Sequence, residues 1–355
     1  MNWLPNGGVE ESAKNNIIIL LTHPHTMSIE MPSYENKQTL PPKGEVPPEK
    51  LPEYLSNQFD QPDKFELYEG ETLSLRDIQP EKVKTEVPLL ILKGWGTTPD
   101  NYKANIIGLA EKGRRVLAVD NIHGINAEQI EGVKEARELV PDELLLNKVA
   151  ATLKVFEVKE GLDQVDVVAH SEGAIHAIFA ALLRPEKFRN LVLVDPAGMV
   201  GENNREQTIK GAALDIALQI ARLYKREGAL STAKKMSSAS MGLNKALVAG
   251  PKETWDSIGT ITKTQIHELI GTLREQGIRV SIVHGVDDKF FSMDDVQKMT
   301  KSGTVDGFYS TKSTHNEIYL NPKPFNALID SSLDSLEALR KKEEEKAPKV
   351  AVAAA

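Results

Sequence analysis

The fold is decided by the stretch VDVVAHSEGAIHAIFAALL, residues 165–183. Its first half is rich in valine, which is typical of a strand that is covered on both faces of a sheet. Its second half repeats apolar side chains at helical spacing, with Ile175, Phe179 and Leu182 on one face. Ser171 stands at the junction. The stretch therefore predicts a buried strand, a very sharp turn at the serine and an amphipathic helix.

The turn closely matches the pattern G-x-S-x-G, in which a strained backbone holds a serine hydroxyl out from the carboxyl edge of a sheet. Gly173 supplies the second glycine, whereas Ala169 stands where the first is expected. Both positions must be small because the backbones of the strand and the helix nearly touch there. Alanine adds one methyl group on the strand side. An alternative interpretation is a serine that only caps the N-terminus of the helix.

Similar apolar runs lie on both sides of this turn and alternate with helical stretches. Buried strands are predicted at 87–95, 113–122, 188–198 and 278–288, with an antiparallel pair within 65–78 and a last strand at 305–315. Alternation of strands and helices with right-handed crossovers predicts an α/β fold with a mostly parallel, doubly wound sheet.

The same pattern divides the chain into four parts. Residues 1–62 are predicted to form a proline-rich arm, in which the apolar stretch 16–20 is a candidate additional strand. Residues 63–198 and 279–342 form the α/β core. Residues 199–278 have helical patterns only and are predicted to form a helical cap inserted over the sheet, with a Ser- and Met-rich loop at 231–242. Residues 343–355 are expected to be a frayed tail.

Composition narrows the possible partners of this chain of 355 residues, whose formal net charge is −8. Lys and Arg form no long stripe, so nucleic acid is not an expected partner. The lack of cysteine excludes disulfides, thiolate catalysis and Cys-ligated metal. The early apolar run Ile17–Leu21 is too short for a transmembrane segment and lacks the basic region of a signal peptide. We expect a cytoplasmic protein, although a removed export signal is left open.

A serine hydroxyl is a weak nucleophile unless a base accepts its proton and a third group orients that base. His315 follows the last predicted strand, where a side chain can reach the carboxyl edge of the sheet. Asp288 ends the strand before it, three residues after Gly285, and is the expected acid. Asp287 and Asp195, which also follow predicted strands, are the alternative acids.

Two backbone amides are expected to face the developing negative charge, those of Trp95 and Glu172. Glu172 directly follows the serine, and Trp95 lies in the glycine-rich loop after the strand at 87–95. Gly94 and Gly96 allow that loop to turn inward. Together with His170, these two glycines are expected to line the substrate pocket.

Four motifs stand out: KGWG at 93–96, AHSEG at 169–173, LVLVDPAG at 191–198 and HGVDD at 284–288, and His315 follows them. With the candidate residues in the order Ser, Asp, His, this set resembles the α/β-hydrolase superfamily, in its serine esterase and lipase branch with a helical cap. The resemblance covers about residues 64–340. It implies Ser171 as nucleophile, His315 as base and Asp288 as acid, with the amides of Trp95 and Glu172 as the oxyanion hole.

The resemblance also implies an activity, which is cleavage of small-molecule carboxylic esters (EC 3.1.1) through an acyl-enzyme, without metal or organic cofactor. An acyltransferase, or a hydrolase of thioesters, lactones or C–C bonds, would use the same site. A non-catalytic ligand-binding receptor is favoured less, because no member of the triad is lost. The sequence leaves open a homo-oligomer formed through the N-terminal arm.

Overall fold

The computed structural model describes residues 18–20, 51–66, 70, 72–123, 133–140, 142–199, 205–249, 251–300 and 303–346. A nine-stranded sheet lies at its centre. The strands are β1 (Ile18–Leu20), β2 (Asp63–Glu66), β3 (Thr72–Ile78), β4 (Thr85–Leu92), β5 (Arg114–His123), β6 (Val165–His170), β7 (Phe188–Val194), β8 (Arg279–Gly285) and β9 (Gly307–Thr311).

The sheet is mostly parallel, as the alternation of strands and helices predicts. Its order is β1-β9-β8-β7-β6-β4-β5-β3-β2, and the six strands from β9 to β5 run parallel. β1, β2 and β3 pair antiparallel at the two edges. The carboxyl ends of β4, β6, β7 and β8 therefore meet at one edge, where loops from distant parts of the sequence come together.

Helices cover both faces of the sheet. They are α1 (Glu53–Phe59), α2 (Lys103–Glu111), α3 (Val133–Leu139), α4 (Glu143–Val158), α5 (Glu172–Leu183), α6 (Arg205–Ala249), α7 (Pro251–Lys263), α8 (His267–Glu275), α9 (Met293–Thr300), α10 (Glu317–Leu320) and α11 (Pro322–Lys346). None of these described helices is long and apolar enough to cross a membrane.

Alternate residues of each central strand face two separate cores. On β7, Leu193 packs into the core beneath α4, α5 and α8, together with residues such as Ile178. Its neighbour Val192 packs into the core beneath α1, α2 and α11, with residues such as Ile106. The mostly apolar composition of the central strands follows from this coverage of both faces.

The last part of the predicted proline-rich arm is a helix that packs onto the core. Residues 53–59 form α1, and Leu55 and Phe59 are fully buried. The Phe59 ring also lies 3.9 Å from the guanidinium carbon of Arg76. Two apolar side chains four residues apart share one helix face, so this short segment packs onto the core despite its proline-rich surroundings. Residues 1–17 and 21–50 of the arm lie outside the described residues.

The predicted loop at 231–242 is wrong, because this segment continues α6. A break does occur, but at Gly228, where φ is 81° and ψ is 175°. After it, the Thr232 hydroxyl donates to the carbonyl of Gly228 (2.8 Å) and the Ser240 hydroxyl to that of Ser237 (3.1 Å). Serine and threonine that bond backward in this way are compatible with a helix even where apolar periodicity is missing.

The close approach of β4 and α5 makes a first prediction, on stability. A Cβ added at Gly173 would lie 2.6 Å from the carbonyl oxygen of Leu92 and 2.8 Å from that of Lys93. We expect Gly173→Ala to lower the free energy of unfolding by about 1–3 kcal/mol, since both clashes involve backbone. Thermal or urea unfolding measures this.

Gly271→Ala is the matched control, because a Cβ at this helical glycine meets nothing within 4 Å. It is expected to leave the stability unchanged or to raise it by up to about 1 kcal/mol. Equal stability of the two variants would contradict the tight contact at Gly173.

Candidate active site

Ser171 occupies a strained turn between β6 and α5, with φ 53° and ψ −121°. Its backbone is fixed on both sides: its amide donates to Val194 O (3.0 Å), and its carbonyl accepts from Ala174 (3.0 Å) and Ala197 (3.2 Å). A non-glycine residue holds a positive φ only where its surroundings enforce it. The Ser171 side chain makes no capping hydrogen bond to α5. The interpretation as a simple helix cap is therefore not supported.

Ala169 fits the turn without distortion of the strand. It is fully buried on β6, in register with Leu92 of β4 and Leu193 of β7. The close approach that demands a glycine lies on the helix side, at Gly173. A methyl group is accordingly accommodated at position 169.

The structure brings Ser171, His315 and Asp288 together in one hydrogen-bonded row. His315 Nε2 lies 2.9 Å from Ser171 Oγ, and His315 Nδ1 lies 2.8 Å from Asp288 Oδ2. The other carboxylate oxygen of Asp288, Oδ1, accepts hydrogen bonds from the backbone amides of Phe290 (2.7 Å) and Phe291 (3.0 Å). All three side chains are buried. Asp288 is thus held in place to accept the Nδ1 proton of His315, which leaves Nε2 as the acceptor for the serine hydroxyl.

The electrostatics of this row favour a charged pair. Burial disfavours the protonated imidazole of His315, but the adjacent Asp288 and the nearby Asp195 and Asp215 outweigh it and raise its pKa to about 9. Burial also disfavours the carboxylate of Asp288, yet the contact with His315 lowers its pKa below the usual value. The row is therefore built to stabilise a positive charge on His315.

Asp287, one of the alternative acids, pairs with a residue other than His315. Its carboxylate forms an ion pair with Arg222 of α6 and is one-third exposed. The neighbouring Asp288 turns inward instead.

Asp195, the other alternative, lies close by but has different partners. It follows β7 with φ 44°, and its Oδ1 accepts the amide of Gly285 (2.7 Å). The same oxygen lies 3.1 Å from Nδ1 of His284, and both side chains are fully buried. Of the three carboxylates considered, Asp288 is the one that contacts the ring of His315.

The glycine-rich loop passes directly beside the serine. A Cβ added at Gly94 would lie 3.2 Å from the Cβ of Ser171, and the Gly94 amide donates to Tyr102 Oη (3.1 Å). Gly96 adopts φ 67° and turns the loop. The amides of Trp95 and Glu172 donate to no acceptor among the described residues. Both remain available to an incoming oxygen.

His170 is placed differently from the expected pocket wall. It is buried, with Nδ1 2.6 Å from Tyr102 Oη and Nε2 3.1 Å from the carbonyl oxygen of His315. Burial lowers its pKa to about 3, so it is neutral at physiological pH. Because both ring nitrogens are engaged by protein, His170 supports the backbone at His315 rather than facing a substrate.

The sequence patterns did not point to two residues' contacts at the site, those of Glu172 and Asp215. Glu172 forms an ion pair with Lys148 and accepts from Ser257 Oγ (3.2 Å) behind the turn. Asp215 of α6 accepts the backbone amide of His315 (3.2 Å). A signal that could have pointed to Asp215 is an acidic residue within the mostly apolar stretch AALDIALQI, residues 212–220.

Two overlapping groups of histidine and aspartate residues have ring nitrogens and carboxylate oxygens within 4.8 Å of one another, which is close enough to hold a metal ion. They are His170, Asp195 and His315, and Asp195, His284 and Asp288. Every member also makes a hydrogen bond or close polar contact to protein.

Comparison with solved structures defines the class of fold. The chain is similar to a bromoperoxidase from Bacillus anthracis (TM-score 0.52, 15% identity, covering 77% of this chain and 100% of that chain). It is also similar to an esterase from Exiguobacterium antarcticum (TM-score 0.52, 13% identity, covering 77% of this chain and 100% of that chain). A meta-cleavage product hydrolase from Pseudomonas fluorescens IP01 is similar as well (TM-score 0.51, 17% identity, covering 77% of this chain and 97% of that chain). No protein-family model matches the sequence, and no curated protein sequence matches it either. The chain has the α/β-hydrolase fold.

Proposed function

We propose that this protein is a serine hydrolase that cleaves carboxylic esters of small molecules. Ser171 is the nucleophile, His315 the general base and Asp288 the acid that orients it. The observation that carries the proposal is the unbroken row from Asp288 through His315 to Ser171, with distances of 2.8 and 2.9 Å. A serine at a strained turn, hydrogen-bonded to a base that a carboxylate orients, has the arrangement that nucleophilic catalysis requires.

Acylation begins when the ester carbonyl lies against Ser171. His315 Nε2 accepts the hydroxyl proton as Oγ bonds to the acyl carbon, and the carbonyl oxygen becomes an oxyanion. The amides of Trp95 and Glu172 donate to that oxyanion, and the N-terminus of α5 favours its charge. As the tetrahedral intermediate collapses, His315 gives its proton to the leaving alcohol oxygen.

Deacylation repeats these steps with water. His315 takes a proton from the water as its oxygen attacks the acyl carbon, and the amides again receive the oxyanion. Collapse releases the carboxylic acid, and the proton on His315 returns to Ser171 Oγ. An alcohol in place of water would make the same protein an acyltransferase, and a thioester, a lactone or a C–C bond next to a carbonyl would present the same acyl carbon.

A chain-length series of para-nitrophenyl esters, from acetate to laurate, tests the proposal. We expect saturable release of nitrophenol and, on rapid quenching, a covalent acyl adduct of the protein. Adding alcohols separates the two outcomes of deacylation, since a hydrolase yields the free acid and an acyltransferase a new ester. No turnover of any ester and no adduct, in folded protein from neutral to alkaline pH, would contradict the proposal.

The pH dependence of ester hydrolysis follows from His315. Below its pKa the ring is protonated on both nitrogens and cannot accept the proton of Ser171. We therefore expect kcat/KM to rise with pH, with a midpoint above the ordinary histidine value of about 6.5 and towards the raised pKa of about 9. A pH–rate profile corrected for spontaneous hydrolysis measures this. A midpoint at or below about 6.5 would contradict the stabilised imidazolium.

A further inference from the structure

Helix α6 reaches the two loops that carry His315 and Asp288. Asp215 on this helix is fully buried, and its Oδ1 accepts the backbone amide of His315 (3.2 Å) and that of Lys289 (3.1 Å). Lys289 directly follows Asp288. One carboxylate oxygen therefore bridges the base loop and the acid loop, although about a hundred residues separate it from His315.

Two further features hold α6 against the same loops. A Cβ at Gly211, one turn before Asp215, would collide with the carbonyl oxygen of Lys289, so the helix backbone lies directly on the acid loop. About two turns after Asp215, Arg222 forms ion pairs with Asp287 of the acid loop and with Glu317 (3.0 Å) beside the base loop. These contacts make Asp215 the central member of a connection that spans about three turns of α6.

We propose that Asp215 is a positioning residue, which joins the base and acid loops through its bridging oxygen and places a negative charge beside His315. The inference rests on the proposed function, because it assigns Asp215 a role through His315 rather than direct contact with substrate. It makes α6, which comes from the segment between β7 and β8, part of the catalytic arrangement.

The titratable groups around His315 come from four elements, and three of these groups are charged. Asp288 follows β8, Asp195 follows β7 and Asp215 lies on α6, while His170 at the end of β6 is neutral. Asp215 itself faces the amides of both loops and the side-chain amide of Gln219 on its own helix. Burial raises the pKa of Asp215 to about 6, and the carboxylate of Asp288 adds to this. Asp215 is therefore ionised at neutral and alkaline pH, where His315 titrates.

Two substitutions separate the roles of the hydrogen bond and the charge. Asp215→Asn keeps an oxygen that can accept from the backbone amides of Lys289 and His315, but it removes the negative charge. The side-chain amide of Gln219 can rotate so that its oxygen accepts a hydrogen bond from the new NH₂ group. Asp215→Ala removes both and leaves two buried N–H groups without a partner. Glu206→Gln is the control, because it removes an equal charge from an exposed position on the same helix.

The primary measurement is the NMR titration of the His315 imidazole, whose signal is identified by its loss in His315→Gln. We expect Asp215→Asn to lower the pKa of His315 by roughly 0.5–1 unit and Glu206→Gln to leave it unchanged. The acidic limb of the pH–rate profile should move by the same amount. In Asp215→Ala the alkaline rate should fall at least about tenfold.

The titration needs no turnover, so it tests the inference even if the ester proposal fails. An unchanged pKa of His315 in Asp215→Asn would overturn the charge role. An alkaline rate of Asp215→Ala equal to that of the wild type would overturn the positioning role. A shifted pKa in a protein that cleaves no ester would contradict the proposed function alone. If Asp215→Ala does not fold, the titration of His315 in Asp215→Asn decides alone, and an unchanged pKa of His315 overturns the inference.

Discussion

Ser171→Ala is expected to lower ester turnover by about 10⁴-fold or more while the protein remains folded. Without Oγ no acyl-enzyme forms, and the amides of Trp95 and Glu172 retain only the smaller contribution of oxyanion binding. The backbone of Ser171 carries the strain of its positive φ, and alanine has to adopt the same angles. The hydroxyl makes its hydrogen bond to His315 and none to the helix that it precedes. We therefore expect a melting temperature close to that of the wild type.

Ser332→Ala is the matched control for this variant. Ser332 is fully buried and pairs with Ser281 of β8, away from the catalytic row. Its loss is expected to reduce stability but to preserve kcat/KM within about threefold. The measurement is steady-state hydrolysis of the best para-nitrophenyl ester, together with thermal unfolding of both variants. Equal turnover by Ser171→Ala and the wild type would contradict the assignment of the nucleophile.

The second large effect is expected at Asp288. Asp288→Asn should reduce kcat/KM by about 10³–10⁴-fold, because an amide neither stabilises the imidazolium of His315 nor reliably accepts its Nδ1 proton. The two backbone amides that bond Oδ1 of Asp288 can still bond an amide oxygen. The loop is therefore expected to keep its shape, so the loss reports on charge and tautomer rather than on unfolding.

The other two carboxylates serve as controls for Asp288. Asp287→Asn removes a partly exposed ion pair with Arg222 and is expected to change kcat/KM by less than about threefold. Asp195→Asn keeps an acceptor for the Gly285 amide and is expected to have an effect of about tenfold or less, through its charge near His315. A larger loss in Asp195→Asn than in Asp288→Asn would transfer the role of acid to Asp195.

The sequence was sufficient to predict the elements that depend on local pattern. Valine-rich strands that alternate with amphipathic helices predict the parallel sheet, and the turn at Ser171 follows from the small residues on either side of it. The order of Asp288 and His315 after late strands predicts their meeting, because parallel strands end at the same edge of the sheet. Among the three candidate acids, the choice depended on which side chain turns inward, which spacing alone does not determine.

The remaining features depend on tertiary contact. Asp215 touches His315 only because α6 packs across the loops after β8 and β9, and no local pattern encodes that packing. His170 precedes the nucleophile in sequence, yet the position of Tyr102 on another segment directs its ring into the interior. The helix at 231–242 lacks a clear apolar periodicity in the sequence, although the Thr232 and Ser240 hydroxyls bond back to carbonyls of the preceding turn, as hydroxyls inside a helix can.

Reaction with a fluorophosphonate ester tests the central claim, that Ser171 is an activated nucleophile, most directly. The wild type and Ser171→Ala are treated at mildly alkaline pH, and each is examined by intact mass and by peptide mapping. The predicted result is one phosphonyl group on the wild-type peptide that contains Ser171, and none on the variant. A folded wild type that remains unmodified, or that carries the phosphonyl group on a different residue, would contradict the account.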